Sequence, residues 1–486
     1  MRPALAVLAV LLGGPALAQP QPEPLRVTSP ADDGPGTLRW AIARANAEPG
    51  RYRIEIGAED GGPIEIRPAN PLPPLRGPLR IEGTAWALDG RFSVLDGSAV
   101  APASCPGETQ GQSGPNVRTL QFPGLAVVDT ERVEIAGLEI RRFCIGVLLH
   151  RSSRNTVRDS RLVANHGGAG IMLTGDDGRG GQTLTTTSHN RILRNDFLDN
   201  GDGLELTRGA SFNIVADNVF RSTAANPEPS QGIEVLLGHD NVIARNRFQG
   251  YSDGVQINSG DRNDLGANVF EDNTFGVSLT GHGNTIAANV FRGNAVAVAV
   301  RPTAAGTISR LSRNVMVGNG APVARCWVGG SCDPALRRGA IVFGLPSGEH
   351  AAYVGHRSTG VPVDPARLAR ICPDGAPDCQ APPNEGIAAP VIERVSRQAD
   401  GRLRIEGRIA GAPSSRHEVE LFGNADAATA EAEVFLGSAP VATGADGTGR
   451  FVLELGAEEP ADARAFTATV TTPTGATSPL SAAARE

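Results

Sequence analysis

The middle of the chain repeats a short pattern of apolar and polar positions. Its first part is N-x-I-x-x-N-x-F, which is clearest in the copies that begin at Asn190, Asn241 and Asn284. A third segment then alternates apolar and polar residues after a Gly, as in GLEL from Gly203 and GIEV from Gly232. Alternation with a period of two is typical of a strand with one buried face. Each copy therefore predicts three short strands, none of them long enough to be a helix.

The spacing of the copies predicts a parallel β-solenoid. The first apolar position recurs every 21 to 35 residues, and one copy forms one coil. These positions are Ile135, Val157, Ile192, Val215, Ile243, Leu265, Ile286 and Leu311. Asn recurs between the strands, where we expect it to adopt the left-handed backbone of a sharp corner. Its amide is expected to bond to the equivalent Asn of the next coil, which gives these residues a structural role.

The third strand is predicted to align side chains of successive coils in one outward column. In chain order the column contains Met172, Glu205, Glu234, Gln256, Ser278 and Ala299. Coils lie about 4.8 Å apart, so Glu205 and Glu234 are expected to be neighbours. Two adjacent carboxylates could share a proton, act as the acid and nucleophile of a retaining glycosidase, or hold a calcium ion.

Further candidate residues lie in the same coils. Asp202 and Asp253 occupy matching positions before the third strand, and Tyr251 replaces an Asn of the corner ladder. Longer segments at 174–189 and 223–230 enter on this side, and departures from a regular scaffold often mark function. The candidate catalytic residues are Glu205, Glu234, Asp202, Asp253 and Tyr251. The alternative is that these outward positions are solvated and have no ligand.

The basic residues of the chain are all Arg, because its 486 residues include no Lys. This excludes a Walker A phosphate-binding loop, a Schiff base with a carbonyl substrate and a lysine general base. A formal net charge of −7 gives no basic footprint for a nucleic-acid partner. Acidic side chains therefore remain the main candidates for acid–base chemistry.

The N-terminus predicts an export signal. Arg2 precedes an apolar run, and small residues near Ala18 fit a signal peptidase site, so we expect cleavage after Ala18. The run is too short to span a bilayer, and we predict a secreted or periplasmic protein without membrane insertion. The disulfide candidates are Cys105, Cys144, Cys326, Cys332, Cys372 and Cys379. Their spacing favours pairs 326–332 and 372–379, which leaves Cys105 for Cys144.

The repeats resemble those of right-handed parallel β-helix proteins of the pectin-lyase-like family, from about residue 26 to the mid-300s. The segment 27–46, VTSPADDGPGTLRWAIARAN, is similar to the N-terminal element of secreted bacterial β-helix proteins with a CSLREA-type motif. Gly36 and Trp40 stand where that motif has Cys and Glu. Thr37 is suited to cap a helix whose apolar face would cover the open first coil.

The chain beyond the repeats predicts a linker and a second domain. Short alternating runs separated by turn residues follow a segment rich in Pro, Asp, Gly and Ala. They resemble the immunoglobulin-like domain that often follows CSLREA-type β-helices. The predicted all-β organisation is a signal peptide over 1–18, a capped right-handed parallel β-helix over 19–372, a linker over 373–390 and an immunoglobulin-like β-sandwich over 391–486.

The export signal, the solenoid and the absence of a recognised catalytic set predict an exported protein that binds carbohydrate or another extended surface polymer, such as a polysaccharide or cell-surface glycan. The same family includes polysaccharide lyases, galacturonases and epimerases. The chain has a Gly-His-Gly at 281–283, but it cannot have the Arg-Ile-Lys element of galacturonases without Lys. The alternatives are a polysaccharide lyase or glycoside hydrolase that uses the stacked carboxylates, and a purely structural or adhesive surface protein. We expect no required cofactor, and calcium is the ion that the stacked carboxylates could hold.

Overall fold

The computed structural model describes residues 22–107, 119–175, 185–301, 306–322, 338–343, 383–428, 430–456 and 463–486. Over this part of the chain the fold is all-β, a parallel β-helix followed by a small antiparallel domain, as the sequence predicts. The helices within it are the α-helices Leu38–Ala47 and Thr84–Asp89 and the 3₁₀ helices Gly97–Ala99 and Asn384–Gly386.

The coils of the β-helix supply strands to three parallel sheets. In the described residues, the first sheet consists of Glu23–Val27, Tyr52–Ile56, Leu79–Gly83, Val133–Ala136, Thr156–Arg158, Arg191–Leu193, Ile214–Ala216, Val242–Ala244, Asp264–Gly266, His282–Ala287 and Ile308–Ser312. The second sheet consists of Glu65–Ile66, Ser93–Asp96, Leu138–Arg141, Arg161–Val163, Asp196–Leu198, Val219–Arg221, Arg247–Gln249, Val269–Glu271, Val290–Arg292 and Val315–Val317. The third sheet consists of Pro123–Val128, Ile145–His150, Ala169–Thr174, Asp202–Thr207, Gln231–Leu236, Asp253–Asn258, Phe275–Leu279, Val296–Val300 and Gly339–Phe343. A short parallel pair joins Thr187–Ser188 to Ala210–Ser211.

Aromatic rings stack along the axis of the β-helix. The stacked rings belong to Phe197, Phe220, Phe248, Phe270 and Phe291. Neighbouring ring centroids are 4.3 to 4.9 Å apart, and all of these side chains are fully buried. Inward Ile, Val and Leu side chains of the other sheets complete the same core. Because each coil buries its apolar face only against its neighbours, this stack holds the coils together.

The asparagine ladders form as predicted. The backbone N–H and the Nδ2 of Asn195 both donate to Oδ1 of Asn218. The backbone N–H and the Nδ2 of Asn218 donate in the same way to Oδ1 of Asn246. The prediction about the backbone is wrong, because the left-handed residue is the one before each Asn. Arg194 has a φ of 54° and Asp217 a φ of 61°, whereas these asparagines are not left-handed. The Asn side chain thus satisfies the backbone N–H groups of the corner while its neighbour makes the bend.

The predicted helix covers the N-terminal end of the solenoid. The Thr37 hydroxyl accepts a hydrogen bond from the backbone N–H of Trp40, which is the geometry of an N-cap. The buried face of the helix consists of Leu38, Ala41, Ile42 and Ala45. These side chains belong to the same hydrophobic core as the first coils, so the open end is closed.

The antiparallel domain covers the C-terminal end. One of its sheets consists of Val391–Arg397, Leu403–Ala410 and Thr448–Leu455, and the other of Val434–Ala442, Arg416–Asn424 and Ala465–Thr471. The two sheets enclose a core of their own, as the predicted sandwich does. Phe422 and Ala432 also join the core of the β-helix. Asn384 extends an asparagine ladder, since its Oδ1 accepts from the Ser309 N–H at 2.8 Å.

Glu431 is a buried acid at this junction. Its Oε2 accepts a hydrogen bond from Asn319 Nδ2 at 3.2 Å, at the end of another asparagine ladder. The side chain is only 2% exposed. Burial raises the pKa of Glu431 from 4.5 to about 7. The folded protein therefore holds this proton more tightly than the unfolded chain does.

The raised pKa predicts that the junction weakens as the pH rises. The stabilisation from protonated Glu431 is complete below a pH of 4.5 and is lost as the pH rises through about 7. A shift of this size corresponds to about 3 kcal/mol of unfolding free energy. We expect Glu431→Gln to abolish this dependence and to be more stable than the wild type above neutral pH. Thermal unfolding at a series of pH values checks this, with exposed Glu454→Gln as the control, and a wild-type-to-variant difference that is constant with pH would contradict it.

One predicted disulfide lies in the described residues. Cys105 and Cys144 are bonded, with their Cα atoms 5.8 Å apart. Within the described residues, no helix is long and apolar enough to cross a membrane. The predicted features that lie outside the described residues are the signal peptide, Cys326, Cys332, Cys372 and Cys379.

Candidate active site

The third sheet places the predicted acidic column in register. Its Cα pairing joins Met172 to Glu205, Glu205 to Glu234, and Glu234 to Gln256. The same register continues to Ser278. Glu205 and Glu234 are therefore neighbours on adjacent coils, as the sequence predicts.

A tight corner brings Asp202 to the same place. A Cβ atom on Gly203 would lie 2.7 Å from the Phe220 ring and 2.5 Å from a carbonyl oxygen of the next coil, so only Gly fits there. Asp202 and Glu205 lie on the same strand, Asp202–Thr207, and their carboxylates converge although they are three positions apart. Carboxylate oxygens of Asp202, Glu205 and Glu234 all lie within 4.8 Å of one another. We call these three residues the carboxylate trio.

The trio is buried, contrary to the alternative that its positions are solvated. The exposed fraction is 0% for Asp202 and 6% for both Glu205 and Glu234. Buried apolar clusters lie in the third sheet before and after the trio, the first starting in the adjoining strand and the second starting two strands beyond Glu234. They include Leu148 and Met172 on one side and Phe275, Val296 and Ala299 on the other. Acidic side chains are rarely buried to this degree, so these positions are not ordinary solvated surface.

Glu234 has neither a hydrogen bond nor an ion pair within the part of the chain that the structure describes. Other acids of the β-helix are paired, as Asp159 is with Arg194 at 2.7 Å and with Arg158 at 2.6 Å. Carboxylates that lie as close together as those of the trio repel one another when they are ionised. Glu234 therefore indicates that a cation or a shared proton belongs beside it.

Amide side chains lie next to the trio. The backbone N–H of Gln231 donates to Asp202 Oδ1 at 3.1 Å, and its Nε2 donates to Gln256 Oε1 at 3.2 Å. Asn258 Nδ2 also donates to Gln256 Oε1, at 2.6 Å. Gln256 is fully buried, and its Nε2 has no hydrogen-bond partner among the described residues. This N–H₂ group is therefore available to an acceptor oxygen of a bound ligand.

Asp253 lies one coil beyond Glu234, where two serine hydroxyls hold it. Ser252 Oγ donates to Asp253 Oδ2 at 2.9 Å, and Ser278 Oγ donates to Oδ1. Both carboxylate oxygens therefore accept hydrogen bonds. Asp253 also pairs in register with Gln231, whose side chain contacts Gln256. The acids predicted from the sequence thus form one buried polar cluster.

Tyr251 is the predicted residue that the structure places elsewhere. Its side chain is fully buried in the hydrophobic core of the β-helix, and its hydroxyl donates to the Arg221 carbonyl at 3.4 Å. Its backbone N–H donates to Asn273 Oδ1, so it occupies a corner of the ladder. Burial raises the pKa of the Tyr251 hydroxyl above its usual range, and Asp199 and Asp202 act in the same direction. These contacts indicate a packing role.

Arg301 is a candidate that the repeat pattern does not single out. It follows the strand Val296–Val300, and it is only 1% exposed. Its Nη2 donates to Asn258 Oδ1 at 2.7 Å and to the Ile257 carbonyl at 2.9 Å. The guanidinium therefore reaches back toward the amides beside the trio. Its signal in the sequence is a charged residue directly after the apolar run VAVAV.

The second of the two longer segments, 223–230, borders this side of the solenoid. Residues 176–184 of the first lie outside the described residues. In the second, Asn226 Nδ2 donates to the Asn200 carbonyl at 2.9 Å, and Glu228 Oε2 accepts from the Gly167 N–H at 2.8 Å. The second segment thus packs against the corner that leads into Asp202.

A family profile and two solved structures are similar to parts of the chain. The profile, described as "Periplasmic copper-binding protein (NosD)", matches residues 174–309. Pectate lyase Pel9A has a TM-score of 0.38 at 15% identity, covering 65% of this chain and 82% of that chain. The periplasmic alginate epimerase AlgG has a TM-score of 0.30 at 16% identity, covering 54% of this chain and 76% of that chain.

A known enzyme is similar to nearly the whole chain. The 3-dehydroshikimate dehydratase of Acinetobacter baylyi is 44% identical over 461 residues, which cover 93% of this chain and 93% of that protein. The similarity therefore spans the β-helix, the carboxylate trio and the C-terminal domain together. This chain belongs to the family of the A. baylyi 3-dehydroshikimate dehydratase.

Proposed function

We propose that the protein removes water from 3-dehydroshikimate, the substrate named for its A. baylyi relative. The observation that supports this most directly is 44% identity over 93% of both chains. The buried carboxylate trio supports it from the structure, because a dehydratase needs groups that move protons in a site closed to bulk water.

The substrate defines what the site must do. 3-Dehydroshikimate is a cyclohexene carboxylate with a ketone, a hydroxyl on the next carbon and a second hydroxyl one carbon further. A base removes the proton from the carbon that bears the first hydroxyl, which gives an enolate. The enolate expels the second hydroxyl, which leaves as water when an acid protonates it. Transfer of one ring proton to the ketone oxygen then gives 3,4-dihydroxybenzoate, so the balance is one substrate to one product and one water.

The buried cluster contains a group for each of these tasks. Carboxylates of the cluster can take the ring proton and return a proton to the departing hydroxyl. The buried Nε2 of Gln256 can donate to a substrate oxygen. Arg301 brings positive charge to the same face, and a guanidinium is well suited to the carboxylate of the substrate.

The absence of Lys limits how the ketone can be activated. Some enzymes convert a ketone into an imine with a lysine amine, and this chain has no Lys to do so. Hydrogen bonds or a cation must therefore stabilise the negative charge that develops on the ketone oxygen. Carboxylates alone would repel that charge.

Burial favours a small substrate over a polymer at this site. A long polysaccharide needs an open groove, whereas the residues of the trio and Gln256 are each at most 6% exposed. Binding of carbohydrate or another surface polymer elsewhere on the β-helix stays a prediction. A glycan array tests it directly, since binding that survives loss of the trio would require a separate surface.

We also propose that the protein acts outside the cytoplasm. The N-terminal segment has the features of a cleaved export signal, and the Cys105–Cys144 disulfide fits an oxidising compartment. N-terminal sequencing of protein recovered from the periplasm or medium should begin just after Ala18.

The dehydration itself is tested with the exported protein and 3-dehydroshikimate. We expect an aromatic product, seen as a rise in ultraviolet absorbance and as a mass lower than the substrate by one water. Shikimate is the matched control, because a hydroxyl in place of the ketone leaves the neighbouring C–H too weakly acidic to lose its proton. No product from 3-dehydroshikimate under conditions in which the protein is folded would contradict the proposal.

A further inference from the structure

We infer that Asp202, Glu205 and Glu234 bind a divalent cation of the Mg²⁺, Mn²⁺ or Ca²⁺ type. The binding site follows from the geometry of the trio, and its role in catalysis rests on the proposed function. From the sequence alone, the adjacent carboxylates could share a proton, act as an acid and a nucleophile, or hold an ion.

The arrangement of the trio suits a single ion. Two of its residues come from one coil and the third from the next, and their oxygens already lie within 4.8 Å of one another. Oxygens bound to one such ion at about 2.0 to 2.6 Å are necessarily less than about 5.2 Å apart. Small side-chain rotations therefore suffice to place all three oxygens around an ion, while the strands stay in register.

One observation within the acidic trio and one outside it point to a ligand here. Glu234 is 94% buried, since its exposed fraction is 6%, and it has no hydrogen bond or ion pair to any described residue. The Nε2 of fully buried Gln256, one coil away, also has no acceptor in the described part of the chain. A cation between the carboxylates accounts for Glu234, and an oxygen of a molecule bound to that cation accounts for Gln256.

The donor set selects the class of cation. All three residues offer carboxylate oxygens, which are hard ligands that suit Mg²⁺, Ca²⁺ and Mn²⁺. The trio has no thiolate and no imidazole, the ligands typical of zinc and copper sites. Three carboxylates leave coordination positions for water or for substrate oxygens, because these ions take six or more ligands.

A cation at the trio would supply the positive charge that activates the ketone, which no lysine amine can do in this chain. Coordinated to the ketone oxygen and the adjacent hydroxyl, it would stabilise the enolate that forms when the ring proton leaves. The trio then acts as ligands, and proton removal falls to Asp253, the carboxylate of the cluster outside the ligand set. The proton moves from the ring carbon to Asp253, and the electron pair of that C–H bond becomes the enolate double bond.

Direct measurement of metal binding tests the inference without reference to activity. The exported protein is stripped with a chelator and titrated with MnCl₂, with free Mn²⁺ followed by electron paramagnetic resonance and heat by calorimetry. We expect one site in the wild type and binding weakened about 10-fold or more in Glu234→Gln, which keeps the shape of the side chain but removes a charged ligand. Glu271→Gln, on the second sheet, makes the same change beside Arg247 and Arg292 and should bind Mn²⁺ like the wild type.

The outcomes separate this inference from the proposed function. A stripped wild type that binds none of Mn²⁺, Mg²⁺ and Ca²⁺, or that binds Mn²⁺ as well after Glu234→Gln, overturns the metal site. Full dehydration by the stripped enzyme overturns the role of the cation in catalysis but leaves the proposed function standing. One Mn²⁺ bound at the trio without any dehydration keeps the site and removes the proposed function. If Glu234→Gln does not fold, Glu205→Gln takes its place in the same titration.

Discussion

Replacing Glu205 by Gln should lower kcat for dehydration of 3-dehydroshikimate by about 100- to 10,000-fold. Glu205 is the centre of the carboxylate trio, because it is the register neighbour of Glu234 and shares a strand with Asp202. Gln occupies nearly the same volume but cannot carry the negative charge or exchange a proton. The reaction loses either a metal ligand or a proton carrier, and both losses act on the chemical step. Initial rates over a range of substrate concentrations measure the effect.

The control for this prediction is Glu271→Gln, whose kcat should stay within about twofold of the wild type. Far-ultraviolet circular dichroism and the thermal midpoint establish that both variants are folded. A structural role for Glu205 would lower the thermal midpoint and the yield of folded protein while the folded fraction kept its kcat. Full kcat in folded Glu205→Gln would therefore remove the trio from the mechanism.

The sequence predicts the register of the acids because the repeat is regular. Each strand of the third sheet begins at a fixed distance from its Gly, and parallel coils stack equivalent positions. The positions of Gly203 and Gly232 are therefore sufficient to align Glu205 with Glu234. The Asn positions locate the corners for the same reason, although the left-handed backbone falls on residues such as Arg194.

Burial of the trio could not be predicted in the same way. Periodicity distinguishes the inward from the outward face of a strand, but it does not tell whether another part of the chain or a ligand excludes water from the outward face. Glu205 and Glu234 are indistinguishable in pattern from outward acids that pair with arginine, such as Glu271 with Arg247. Arg301 escapes the repeat pattern because its contact with Asn258 crosses coils and depends on a long side chain, which no spacing rule describes.

The largest stability effect is expected for Phe248→Ala. The Phe248 ring is fully buried between Phe220 and Phe270, at centroid distances of 4.8 and 4.9 Å. Its removal loses hydrophobic burial and leaves a cavity in the middle of the stack, which costs about 3 to 5 kcal/mol of unfolding free energy. Phe212→Ala is the matched control, since that ring is 47% exposed, and it should change the unfolding free energy by less than about 0.5 kcal/mol. Urea unfolding of the three proteins measures both values, and equal midpoints for the two variants would contradict the prediction.

The same stack supports the site, because Phe248 packs directly beneath the strand of Glu234. A Cβ atom on Gly232 would lie only 2.6 Å from the Phe248 ring, so the backbone at Gly232 packs directly against that ring. Phe291 makes the equivalent contact with Gly276, two coils further along, and its loss should destabilise the fold without moving Glu234. Under conditions in which both variants remain folded, we therefore expect Phe248→Ala to lower kcat by about 10-fold or more and Phe291→Ala to lower it much less. An equal loss of kcat in the two variants would mean that the reduced stability of the whole β-helix, and not the position of Glu234, limits the reaction.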